Sequence, residues 1–253
     1  MSKKYFIAGN WKMNNTTNDS KKLIKELIEL LKNKNNVDIA ICPTFLSIPT
    51  TTQLTIGTNI KVGGQNLHWE EKGAYTGELS AEMLKEAGCE YVIIGHSERR
   101  QYFGETNETV NKKIKAAFRA GLKPIICVGE TLEERESNKA FDVIKSQLQF
   151  AIIDITETNY PVSEITIAYE PVWAIGTGKT ATPDQAQEIH AFIRKLLIEK
   201  YGETTANDIR IQYGGSVKPE NAQDLFSKPD INGALVGGAS LKATMFKDII
   251  ESC

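Results

Sequence analysis

The chain has 253 residues, of which 41% are hydrophobic and 25% charged, with 30 basic against 32 acidic side chains and a net charge of −2. No basic excess exists to hold nucleic acid or an anionic membrane surface, so an anionic ligand must be attracted by a local site. No apolar stretch approaches the roughly 18 residues of a membrane span, and the apolar run after Lys3-Lys4 is too short for a signal peptide.

Short apolar, β-branched runs recur along the whole length: Tyr5–Asn10, Val37–Cys42, Ile60–Gly64, Tyr91–Gly95, Leu122–Val128, Ile165–Tyr169, Ile209–Tyr213 and Gly233–Val236. Their average spacing of about 33 residues leaves room for one strand, one helix and two loops per unit. Helical periodicity fills the intervals. Leu23, Ile24, Leu27, Ile28 and Leu31 share one face, and Asp142–Ile153 puts Val143, Ile144, Leu148 and Ile152 on another. Thr182 is a suitable N-cap, with Pro183 at the first helical position. Several runs are apolar throughout, as in parallel strands buried on both faces. Eightfold strand–helix alternation predicts a closed (β/α)8 barrel, with an open doubly wound sheet as the competing topology. No linker divides the chain, so one barrel domain over residues 1–253 is expected. Cys42, Cys89, Cys127 and Cys253 lack CxxC spacing and only three histidines are present, which predicts no zinc site and free thiols in a reducing cytoplasm.

In such barrels the active site forms where the strands end. Asn10 ends the first run and Lys12 lies just beyond it; His96-Ser97-Glu98-Arg99 follow the fourth and Glu170-Pro171 the sixth. Gly214-Gly215-Ser216 and Gly237-Gly238 follow the last two. Other ends, such as Cys42-Pro43-Thr44-Phe45, read as plain. The glycine pairs precede short helical segments, where backbone N–H groups can converge on a phosphate. Lys12 suits contact with an anionic substrate. A neutral His96 at the start of a helical turn can donate to a carbonyl, whereas His68 and His190 read as structural or exposed. Glu98 is given a supporting role as a buried carboxylate, with Arg99 either its partner or a surface charge. Glu170, carried to the barrel mouth and fixed in direction by Pro171, is the candidate base. The segment after it, from Pro171, Val172 and Trp173 to Lys179 and Thr180, reads as a lid that excludes water. Gly176–Thr180 mimics a P-loop, but Trp173 stands where that motif needs glycine, so nucleotide binding is rejected.

Taken together, GNWKMN at 9–14, GHSERR at 95–100, AYEPVWAIGTGKTAT at 168–182, YGGS at 213–216 and LVGGAS at 235–240 resemble the triosephosphate isomerase family, in the family's order. The resemblance implies a small phosphorylated triose substrate, dihydroxyacetone phosphate exchanging with D-glyceraldehyde 3-phosphate, without cofactor or metal. It implies Glu170 as base, His96 as electrophile and Lys12 as charge stabiliser. Asn10 contacts substrate, while Gly176, Ser216, Gly237 and Gly238 hold the phosphate. It also implies a homodimer through the loop Gln65–Leu79, with Thr76 near its tip. Asn15, where the family often has glycine, and Thr44, where a second proline is common, put only loop shape in doubt. The competing readings are an isomerase of another sugar phosphate, which should lack the Glu170–lid–His96–Lys12 set, and a non-catalytic interaction protein, which should show damage to it.

Overall fold

A computed structural model describes residues 4–152, 160–175 and 180–253. Eight parallel strands close into a barrel in chain order: β1 (Tyr5–Asn10), β2 (Val37–Cys42), β3 (Ile60–Gly64), β4 (Tyr91–Ile94), β5 (Lys123–Val128), β6 (Thr166–Tyr169), β7 (Arg210–Tyr213) and β8 (Gly233–Val236). Closure is made by Phe6 to Gly9 of β1, which pair with both β2 and β8.

The barrel is apolar on both faces because each strand alternates between two cores. Phe6, Ala8, Ala40, Cys42, Ile93, Ile125, Cys127, Ala168 and Leu235 fill the inside. Ile7, Ile39, Ile41, Val92, Ile94, Ile126, Val128 and Ile167 face the surrounding helices. That explains runs without polar alternation, while the pairing of β1 with β8 excludes the open sheet. The period also decides what reaches the mouth. Asn10 continues the inward phase of Phe6 and Ala8, and Glu170 that of Thr166 and Ala168. The opposite mouth is lined by paired side-chain charges: Asp38 meets Lys4 at 2.8 Å and Arg210 at 2.5 Å.

Three strands start one residue later than the apolar runs. The N–H groups of Leu122, Ile165 and Ile209 are already taken by the carbonyls of Ala117, Val162 and Thr205, which belong to the helical turns before them. β4 stops one residue early because Gly95 turns to φ 76°. The helix expected at Asp142–Ile153 begins earlier, at Ala140, and is described to Ile152. Thr182 caps the helix Pro183–Tyr201 through the N–H of Gln185.

Candidate active site

A cavity of about 560 Å³ opens at the C-terminal ends of the strands, and Asn10, Lys12, His96, Glu98 and Glu170 all line it. The structure therefore brings together the polar side chains singled out at strands one, four and six. Ser216, Gly237 and Gly238 form the opposite wall. Gly176 and Lys179 lie outside the described residues.

Glu170 is 2% exposed. Its backbone N–H donates to Val128 O at 2.8 Å, and Gly214 N–H donates to Tyr169 O at 2.7 Å, so the residue is stapled between the ends of β5 and β7. Its Oε2 accepts the Ser97 N–H at 3.0 Å and its Oε1 faces His96 Nε2 at 2.9 Å. Burial alone would raise the carboxyl's pKa, but the His96 ring, the Ser97 N–H and Lys12 outweigh it, and the net direction is downward. Glu170 is held as a carboxylate.

Gly95 breaks the alternation of β4, so His96 enters the cavity as the N-cap of the helix Ser97–Tyr102. Its Nδ1 accepts the Glu98 N–H at 3.2 Å. That leaves the ring's single proton on Nε2, aimed at Glu170. Burial pulls the imidazole's pKa down, but the adjacent Glu170 carboxylate wins and the net direction is upward from 6.5. The sequence expectation weighed only the helix start; the carboxylate contact opposes it. His190, by contrast, is fully buried between Tyr169 and Tyr213, and burial depresses its pKa to about 4.

Lys12 Nζ meets Glu98 Oε1 at 2.6 Å. This corrects the expectation for Glu98, which is half-buried rather than buried and does not pair with Arg99. Successive residues of a helical turn point about 100° apart, and Arg99 turns away to Glu105 Oε1 at 3.0 Å. Lys12 itself adopts φ 52°, and Asn15 φ 69°. Asparagine tolerates that left-handed region, which accounts for its place where glycine is common.

On the far wall, a short helical segment, Gly238–Leu241, starts at the cavity, and its first N–H groups have no intrahelical acceptor. The hydroxyl of Ser240, within this segment, donates to Gly237 O at 2.6 Å and fixes the turn. Gly214 carries no side chain for a different reason: a Cβ there would lie 2.8 Å from Glu170 Cγ.

Of the expected lid, Val172 to Ala174 form one 3-10 turn after Pro171, and Thr180 is exposed at the far end. The turn rests on Glu130, which sequence reasoning missed. Glu130 is wholly buried, and its Oε1 takes the Trp173 indole at 2.9 Å, Arg135 at 3.0 Å and the Tyr169 hydroxyl at 3.1 Å. Its carbonyl accepts the Val172 N–H at 3.1 Å. Lys218 and Lys242, also missed, line the cavity beside the glycine pairs. Among the described residues, no group of three or more His, Cys, Asp or Glu side chains is arranged to hold a metal ion.

The family described as "Triosephosphate isomerase" matches this sequence over residues 5–253. A triosephosphate isomerase of Carboxydothermus hydrogenoformans is 54% identical over 249 residues, spanning 98% of each chain. That of Moorella thermoacetica is 56% identical over 245 residues, 97% of each. The crystal structure of triosephosphate isomerase from Bartonella henselae superposes with a TM-score of 0.90 at 44% identity, covering 98% of each chain.

Proposed function

This chain belongs to the triosephosphate isomerase family, and we propose that it interconverts dihydroxyacetone phosphate and D-glyceraldehyde 3-phosphate, a step of glycolysis and gluconeogenesis, with Glu170 as the base. The carboxylate takes a carbon-bound proton beside the carbonyl, and the carbonyl oxygen becomes the charged oxygen of an enediolate; the proton of the neighbouring hydroxyl passes to that oxygen, and Glu170 returns a proton to the former carbonyl carbon as the other oxygen becomes the new carbonyl. The His96 Nε2–H and the Lys12 ammonium stabilise that oxygen, and Asn10 orients it. The phosphate lies against Ser216, Gly237 and Gly238, with Gly176 assigned to it on family pattern. Pro171, Val172 and Trp173 on one side and Lys179 and Thr180 on the other act as the ends of a lid that keeps water from the enediolate.

The observation that carries this reading is the pairing of Glu170 with the protonated nitrogen of His96, 2.9 Å apart on the wall of a cavity that Lys12 shares. Both carboxylate oxygens are occupied, by His96 and by Ser97. Each oxygen keeps a further lone pair that can take a proton, and a substrate carbonyl would compete with Glu170 Oε1 for the His96 Nε2–H. The intact Lys12, His96 and Glu170 set speaks against a non-catalytic homologue. A coupled assay on purified protein, with chelator present, should show turnover of triose phosphate without cofactor. Folded protein with no turnover would overturn the assignment.

The working unit is proposed to be a cytoplasmic homodimer. Met13, Phe45, Leu46, Tyr75, Tyr102 and Phe103 are exposed, and a cleft of about 380 Å³ lies among Lys12, Phe45, Gln65, Gly77 and Phe103. An apolar rim of this kind suits the Thr76 loop of a second copy. Sedimentation at several concentrations tests it, and a monomer at all of them would refute it. Among the described residues no helix is long and apolar enough to cross a membrane, and all four cysteines are unpaired.

A further inference from the structure

We propose that Gln65 is a positioning residue, which holds Lys12 in its left-handed backbone conformation and so aims the Lys12 ammonium into the cavity. The inference rests on the role given to Lys12 above and goes beyond it, because it says what keeps that lysine in place.

Lys12 lies two residues beyond the end of β1, past the reach of the sheet ladder, at φ 52°. Residues with a Cβ seldom occupy that region unless surrounding contacts impose it. Two side chains impose it here. Asn10 Oδ1 accepts the Lys12 N–H at 3.1 Å. Gln65 Nε2 donates to the Lys12 carbonyl at 2.9 Å. The same amide nitrogen donates its second hydrogen to Cys42 O at 3.0 Å. Cys42 O also accepts the Trp11 N–H at 3.1 Å, so the end of β2 holds the chain just before Lys12 while Gln65 holds it just after. Asn14 Nδ2 takes the Trp11 carbonyl at 2.7 Å, and the Trp11 side chain is wholly buried.

Both peptide groups flanking the Lys12 Cα are thus committed. A return of Lys12 to ordinary φ would break the Asn10 and Gln65 contacts together and swing its side chain off Glu98, which it now meets at 2.6 Å. The chemistry also selects the residue type. Two carbonyls, at the ends of two different strands, need two hydrogens on one atom, and a side-chain amide supplies them. Glutamate of the same length would set a carboxylate against two carbonyl oxygens, and methionine would offer no donor. Gln65 is the first residue after β3, so one side chain ties together the ends of β1, β2 and β3 beneath the lysine.

The competing reading is that Gln65 only satisfies Cys42 O and matters for stability alone. Gln65→Met and Gln65→Glu both remove the donor and separate the two. Each would be compared with wild type in steady-state turnover of triose phosphate and in competitive inhibition by inorganic phosphate, with circular dichroism and sedimentation reporting fold and assembly. With the lysine misaimed by about 1 Å, kcat/KM should fall about tenfold to a hundredfold, and the inhibition constant for phosphate should rise in parallel. A folded variant, of either kind, whose kcat/KM and phosphate inhibition match wild type overturns the proposal, however much its melting temperature drops. Absence of turnover in the wild type would instead defeat the functional assignment, so the two failures are distinct.

Discussion

Gly214→Ala tests how tightly Glu170, the proposed base, is placed. The backbone there is open to alanine, since Gly214 has no positive φ. The added Cβ would lie 2.8 Å from Glu170 Cγ and 3.1 Å from Tyr169 O. Carbon atoms rest at about 3.5–4.0 Å, so one partner must retreat by about 1 Å. The Tyr169 carbonyl is tied to Gly214 N–H at 2.7 Å and β6 is locked between β5 and β7. The Glu170 side chain is the softer of the two and should give. A displacement of that size at a reacting group costs up to about a hundredfold in rate, while the fold should lose about 1–3 kcal/mol to overpacking. Steady-state kinetics should therefore show kcat falling about ten- to a hundredfold with KM little changed, since the phosphate wall is untouched. A variant that folds and keeps wild-type kcat would show that Glu170 Cγ is free to yield without moving its oxygens, and the reasoning would fail.

Glu170→Gln should cost about 10²–10⁴-fold in turnover while inorganic phosphate still binds; near-normal turnover would put the base elsewhere. The same variant should lower the His96 titration midpoint, read by NMR of the ring nitrogens, because the carboxylate that raises it is gone; an unmoved midpoint would refute the pairing. The sign for stability follows. A raised His96 contributes fully below its ordinary value of 6.5 and loses that contribution as pH climbs through its folded pKa. A lowered Glu170 contributes above its ordinary 4.5 and loses it as pH falls through its folded pKa. Wild type should thus exceed Glu170→Gln in stability most between the two. Lys218→Ala and Lys242→Ala should lower kcat/KM and flatten its dependence on salt while sparing kcat, because their charges act on the incoming anion; an unchanged salt slope would exclude them from steering.

The eight apolar runs and their spacing made the barrel legible, and the inward phase of each strand carried Asn10 and Glu170 to the mouth. What could be read was whatever immediately follows a run. Glu130 and Gln65 obey the same rule, since they follow Gly129 and Gly64 at the ends of β5 and β3. Nothing in the sequence distinguishes them from plain strand ends. Their importance lies in contacts across the chain: Glu130 with Trp173 and Gln65 with Lys12 are 43 and 53 residues apart. Charge pairing was illegible for the same reason. Adjacent Glu98 and Arg99 suggested a pair, but a helical turn separates neighbours and brings Lys12, 86 residues away, onto Glu98.

These pairings have a common consequence for how the site is prepared. Lys12 is matched by Glu98 at 2.6 Å and Glu170 by His96 at 2.9 Å, so each proposed catalytic charge already has an internal partner. The cavity can thereby stay open, buried in part and stable, without an isolated charge in its wall. An entering phosphate ester must compete for these groups, and its own carbonyl is suited to replace Glu170 at His96 Nε2 and Glu98 at Lys12. Substrate binding and arming of the base would then be one exchange of partners. Among the described residues, the glycine-built wall with its flanking lysines pairs with no carboxylate, so on the proposed function the phosphate would anchor there first and its binding energy would drive the exchange.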